Sequence, residues 1–167
     1  MLERPLSKFY LCDMFYRRKI ILALLQIFDG KLEKIRLQKL LFLLMQRQVR
    51  ADYDFVPYRF GCYSYSANAD MTAMVTRGFL SADEKHFEKK DQTDYLNSLK
   101  VDDKNFLMEI KSSYGKMSAT ALIKHTYLNY PFYATKSETA KNILSKAELE
   151  KVNAAKAKSN KTVLFTI

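Results

Sequence analysis

In 167 residues there are four glycines, three prolines, two cysteines and two histidines, and no tryptophan. Each scarcity closes off a class of function. Gly30, Gly61, Gly78 and Gly115 are single and widely spaced, so no glycine-rich loop can cradle a phosphate. His86 and His125 do not stand among Cys, Asp or Glu residues spaced as metal ligands or as a proton relay, and neither metal nor cofactor is expected. Cys12 and Cys62 are a weak basis for a bridge in a chain this long, and reduced thiols are expected. Long apolar runs are also missing. Ile20 to Leu25 and Leu40 to Met45 fall well short of the roughly 20 residues a membrane span needs. The first residues carry charge on both sides of a short mixed segment, without an apolar core or a small-residue cleavage site. No secretory signal or membrane partner is therefore expected, and the cytoplasm is the expected location.

What remains is apolar and basic. With 48% apolar and 13% aromatic residues, the chain can bury one core, or one core with a small helical lobe. The net charge of +10 is uneven: residues 1–50 carry 11 Lys/Arg against 4 Asp/Glu, residues 51–100 carry 6 against 8, and residues 101–167 carry 11 against 6. Such a field suits nucleic acid, an acidic protein or an anionic surface.

Apolar steps of three and four predict two helices. Ile20, Ile21, Leu24, Leu25 and Phe28 mark the first, stopped by Asp29-Gly30. Leu37, Leu40, Leu41, Leu44 and Met45 mark the second, with Arg36, Lys39 and Arg47 on its other side. The stretch YDFVPYRFGCYS, Tyr53 to Ser64, then alternates as one extended segment. Val56, Tyr58, Phe60 and Cys62 share one face, and Tyr58 and Phe60 are expected to match in burial, opposite to Arg59. Pro57 makes it an edge or bulged strand. Ser64 or Ser66 caps a third helix to Arg77, ended by Gly78. Residues 78–97 form the one expected hairpin.

Helix, helix, short strand, helix, hairpin is the order of a winged helix. The predicted fold class is therefore mainly α (α+β), with a winged-helix-like core over 1–100 and a helical extension over 101–153. Residues 154–167 are expected to be a linker and an orphan strand. Within the extension, Asp102 or Asp103 and Ser118 are expected caps. Thr135 to Glu138 and Ser145 to Glu148 match the capping box.

The chemistry-bearing residues do not converge on a catalytic constellation, so a binding module, not an enzyme, is expected. Tyr58, Arg59, Tyr63 and Tyr65 are the expected partner contacts, since Tyr and Arg are common interface anchors. The alternative is a DNA-binding regulator using Arg36, Lys39, Arg47, Arg77, Lys89 and Lys90. Its third helix offers Asn68, Thr72, Thr76 and one base-reading cation, Arg77, while Asp70 is expected on the same solvent face.

RLQKLLFLLMQ followed by YDFVPYRFGCYS resembles the Panacea family, over about residues 15–80. Leu37, Gln38, Lys39, Leu40 and Leu41 match the family's helix and Phe60-Gly61 its turn, with Cys62 where proline is usual. The resemblance implies antitoxin or adaptor activity, with a toxin or other partner of phage-conflict type recognised by protein contact, and it brings no catalytic residues. Leu164 to Ile167 resembles the first strand of an uncharacterised Rossmann-like domain.

Overall fold

Six consecutive residues of the first helix, Ile20 to Leu25, are fully buried, and so are nearly all of Leu37 to Met45 in the second. A helix that is apolar all round must be covered all round. That requirement organises the molecule, as a computed structural model of the chain describes it for residues 15–164. Helix α1 (Tyr16–Ile27) ends where Asp29 and Gly30 adopt positive φ and the Gly30 amide donates to the Leu25 carbonyl. Strand β1 (Lys31–Glu33) follows, then α2 (Lys34–Met45). The hairpin of β2 (Val56–Tyr58) and β3 (Gly61–Tyr63) leads into α3 (Tyr65–Thr76), and β4 (Leu80–Ala82) and β5 (His86–Lys89) close the motif.

The three-stranded antiparallel sheet has the order β1-β5-β4, with Leu32 opposite Phe87 and Phe87 opposite Ala82. Three helices and that sheet follow one another with the connectivity of a winged helix, and the β2-β3 hairpin lies between the second and third helices. The fold is mainly α with a few strands, an α+β class, as the periodicity indicates. Strand β1 escapes the sequence reading because three residues, Lys-Leu-Glu, have no periodicity to read.

The helical extension completes the coat. Helices α4 (Val101–Tyr114) and α5 (Ala119–Asn129) pack on α2, and α6 (Ala140–Ile143) and α7 (Lys146–Leu164) follow. Phe42, on the side of α2 expected to be polar, lies edge-on to Phe55, Tyr130 and Tyr133 at centroid distances of 5.3, 5.0 and 4.7 Å. Tyr127 and Val152 anchor a second, smaller core among α5, α6 and α7.

Several caps fall as expected. Ser64 and Ser118 accept from the amides of Ala67 and Ala121. Ser145 and Glu148 close a full capping box, each side chain taking the other's backbone amide. The Thr135 box does not form, because Thr135 donates back to the Phe132 carbonyl and Ser137 receives the amides of Thr139 and Ala140 instead. Neither Asp102 nor Asp103 is a cap. Lys100 holds that position, and Asp103 is buried, accepting from Tyr16 and Gln48. Ala154 to Lys161 belongs to α7 and is no linker, as alanine and lysine are strong helix formers. Thr162 to Leu164 of the expected terminal strand are helical, and the rest of it lies outside the described residues.

Candidate functional site

The Gln38-Lys39 pair of α2 is buried at 5% and 2% exposure, pointing at the hairpin. Gln38 behaves as an extra strand. Its Nε2 donates to the Ser64 carbonyl at 3.3 Å, and its Oε1 accepts from the Ser64 amide at 3.0 Å. Lys39 Nζ donates to the Cys62 carbonyl at 2.7 Å. Two adjacent helix positions therefore fix Cys62 of β3 and Ser64, the residue that follows the strand and caps α3, satisfying the Cys62 carbonyl and the Ser64 amide.

The turn between the strands inverts the expected alternation. Pairing sets Val56 opposite Tyr63, Pro57 opposite Cys62 and Tyr58 opposite Gly61, so Tyr58 and Tyr63 share a face and Cys62 lies on the other. Arg59 and Phe60 are the turn itself, and both are exposed, whereas Tyr58 is half-buried. The expected match of Phe60 with Tyr58 fails for that reason: strand parity does not continue through a reversal. Gly61 has φ +90°, and a Cβ there would stand 2.6 Å from Tyr127 Cε1, so only glycine lets the turn seat against the helical lobe.

Tyr58, Tyr63 and Tyr65 come together as one cluster. Their ring centroids are separated by 5.0 Å (Tyr58 to Tyr63), 5.8 Å (Tyr58 to Tyr65) and 5.0 Å (Tyr63 to Tyr65). Tyr65 at 60% and Phe60 at 42% exposure carry the apolar surface outward. Arg59 leaves the cluster: its guanidinium reaches Glu138 at 3.4 Å, and its carbonyl accepts from the Glu138 amide.

Tyr58 and Tyr63 also line a cavity of about 250 Å³, together with Phe60, Ile35, Met71 and Phe87 and with Lys34, Gln38, Lys39, Gly61, Cys62 and Asn68. Burial lowers the Lys39 pKa and pushes the Cys62 thiol up to about 11, against the opposing pull each exerts on the other. Burial likewise raises Tyr63, helped by Tyr58 and Tyr65. Phe60, Lys34 and Phe87 are not among the site residues expected from the sequence, and the fold brings them to one cavity.

The cations of the DNA-binding alternative are dispersed. Lys39 is enclosed and cannot reach a duplex backbone. Arg36 donates to the Gly115 carbonyl at 3.1 Å and covers the Phe28 ring, and Lys89 pairs with Asp91 at 3.0 Å over the Tyr95 ring. Arg47, Arg77 and Lys90 are exposed. Asp70 does not face solvent. It is 3% exposed, with Arg17 at 2.6 Å, Arg18 at 2.8 Å and the Tyr53 hydroxyl donating at 2.9 Å. The outer face of α3 is left nearly uncharged, with Tyr65, Ala69, Thr72 and Thr76 exposed beside Arg77.

Among the described residues no cluster of His, Cys, Asp and Glu could hold a metal, and no helix is long and apolar enough to cross a membrane. No protein-family model matches the chain, and no curated protein matches it.

Proposed function

We propose that the chain is a non-enzymatic interaction module that binds a protein partner through the hairpin face built on Tyr58, Tyr63 and Tyr65. The observation that carries this reading is the convergence of those three rings, within 5.0 to 5.8 Å of one another, at an open edge beside exposed Phe60. Clustered tyrosines offer large, stiff contact area with a polar tip, the composition of interface hot spots. Arg59, tethered to Glu138, frames the cluster. The basic charge favours an acidic partner. The Panacea resemblance of Gln38-Lys39 and Phe60-Gly61 extends the reading to an antitoxin or adaptor in a cytoplasmic phage-conflict setting. Binding without catalysis fits Cys62, whose raised pKa leaves a protonated thiol at neutral pH.

Affinity capture tests it. A stoichiometric partner is expected with the native chain and is lost with Tyr63→Ser plus Arg59→Ser, the first half-buried and the second exposed; unchanged recovery refutes this surface.

Duplex DNA is the second reading, favoured by the winged-helix connectivity and by exposed Arg77 on α3 and Lys90 after β5. It requires binding whose logarithm falls linearly with the logarithm of salt concentration, with a slope reduced by about one unit for each phosphate-contacting cation removed.

A further inference from the structure

The cavity has cations and no anion. Lys39 can offer three N–H donors, and one is taken by the Cys62 carbonyl. Lys34 lies 5.2 Å from the Phe87 ring at the same cavity. Among the described residues neither ammonium has a carboxylate within ion-pair distance. The rest of the wall is mainly apolar, from Tyr58, Phe60, Tyr63, Ile35, Met71 and Phe87, with Gln38, Gly61, Cys62 and Asn68 among them. A buried ammonium whose only partner is a neutral carbonyl is a costly arrangement, relieved when an anion takes the remaining donors.

We propose that this cavity binds an apolar or aromatic carboxylate, with the carboxylate on Lys39 and the body against Phe60, Met71 and Phe87. Size fits. A cavity of about 150 Å³ accommodates benzene, and this one measures about 250 Å³, room for a ring and a carboxylate together. Charge selects among anions. A phosphate dianion loses far more hydration than a carboxylate on entering apolar walls, and one ammonium does not offset that loss. A neutral amide of the same shape leaves the Lys39 charge uncompensated. The ligand is a free aryl acid or the C-terminal residue of a peptide, since both present the same group. The site rests on Lys39 and the cavity alone and does not depend on a protein partner.

The experiment is a titration of the whole protein with phenylacetate, followed by amide ¹H–¹⁵N shifts, beside phenylacetamide. Saturable shifts confined to α2, β3 and β5 are expected with the acid, and binding at least tenfold weaker with the amide. Lys39→Met is expected to abolish the preference for the acid. Asn68→Trp fills the cavity from its half-exposed side, leaves Lys39 in place, and is expected to weaken binding at least tenfold even if Lys39→Met does not fold. Acetyl-Leu-Phe as free acid and as amide separates the sources: binding of the free acid assigns a chain terminus, its exclusion assigns a free small acid, and either upholds the carboxylate site. Equal binding of phenylacetate and phenylacetamide, no saturable shift up to ~10 mM, where even a millimolar site would register, or a Lys39→Met protein that keeps the preference overturns it.

Discussion

Lys39 Nζ stands 2.7 Å from the Cys62 carbonyl, a bond from the middle of a buried helix to the strand that carries the tyrosine cluster. Beside it, Gln38 takes both backbone groups of Ser64. The surface proposed to meet a partner is thus held from below by two buried side chains.

Gln38→Ala is expected to destabilise the protein by about 2 kcal/mol, since it leaves the buried Ser64 amide unmet, while the Ser64 carbonyl keeps the Asn68 amide. Chemical denaturation should show a lower midpoint at unchanged slope. Exchange protection should be lost first at the Ser64 amide, whose acceptor is removed.

Gly61→Ala is expected to cost more than ~1 kcal/mol, combining an alanine at positive φ with a collision against Tyr127. Gly30→Ala has open space around its Cβ and carries the conformational strain alone. Thermal melts should rank Gly61→Ala as the less stable of the two.

Asp70 binds α3 to α1 through Arg17, Arg18 and Tyr53. Burial pushes its pKa up, but the hydrogen bonds from Arg17, Arg18 and Tyr53 outweigh that, and the net shift is downward. A folded pKa below the unfolded value of about 3.9 means the stabilisation is complete above that value and is lost as pH falls through the lowered folded one. Asp70→Asn should lower stability at pH 7 by about 3 kcal/mol, because two guanidinium groups lose their counter-charge. Its stability should also fall less than that of the native chain as the pH drops below about 4, measured by urea unfolding at each pH.

Cys62 is fully buried with its thiol pushed up to about 11. Labelling of Cys62, followed separately from Cys12, by a thiol reagent at pH 7.5 should be slow in the native protein and accelerate in proportion to the unfolded fraction as urea is added. Rapid labelling of Cys62 without denaturant would contradict the hairpin's seating.

The helices were legible in the sequence because Ile20 to Phe28 and Leu37 to Met45 repeat at helical spacing and end at Gly30 and beyond Met45. The tyrosine cluster was legible as a set of residue types at short spacing. Its geometry was not. Reading Tyr53 to Ser64 as one strand puts Phe60 on the wrong face, because Arg59 and Phe60 are residue types common in strands and only the resemblance places a turn at Phe60-Gly61. Lys39 was read as surface charge because a lysine opposite an apolar stripe normally is. Only the helical extension, seating Tyr130 and Tyr133 on Phe42, shows that α2 has little free side. Asp70 misled in the same way, its partners Arg17 and Arg18 lying 53 and 52 residues earlier.

The most direct measurement of the proposed function is the dissociation constant of the captured partner for two surface double variants. Tyr58→Ser with Tyr63→Ser should weaken binding at least ~30-fold, the equivalent of one interface hot spot of about 2 kcal/mol, while Arg77→Ala with Lys90→Ala stays within about threefold of the native value. Native affinity in the tyrosine variant, or a loss confined to the Arg77 and Lys90 variant, would contradict the hairpin as the binding face.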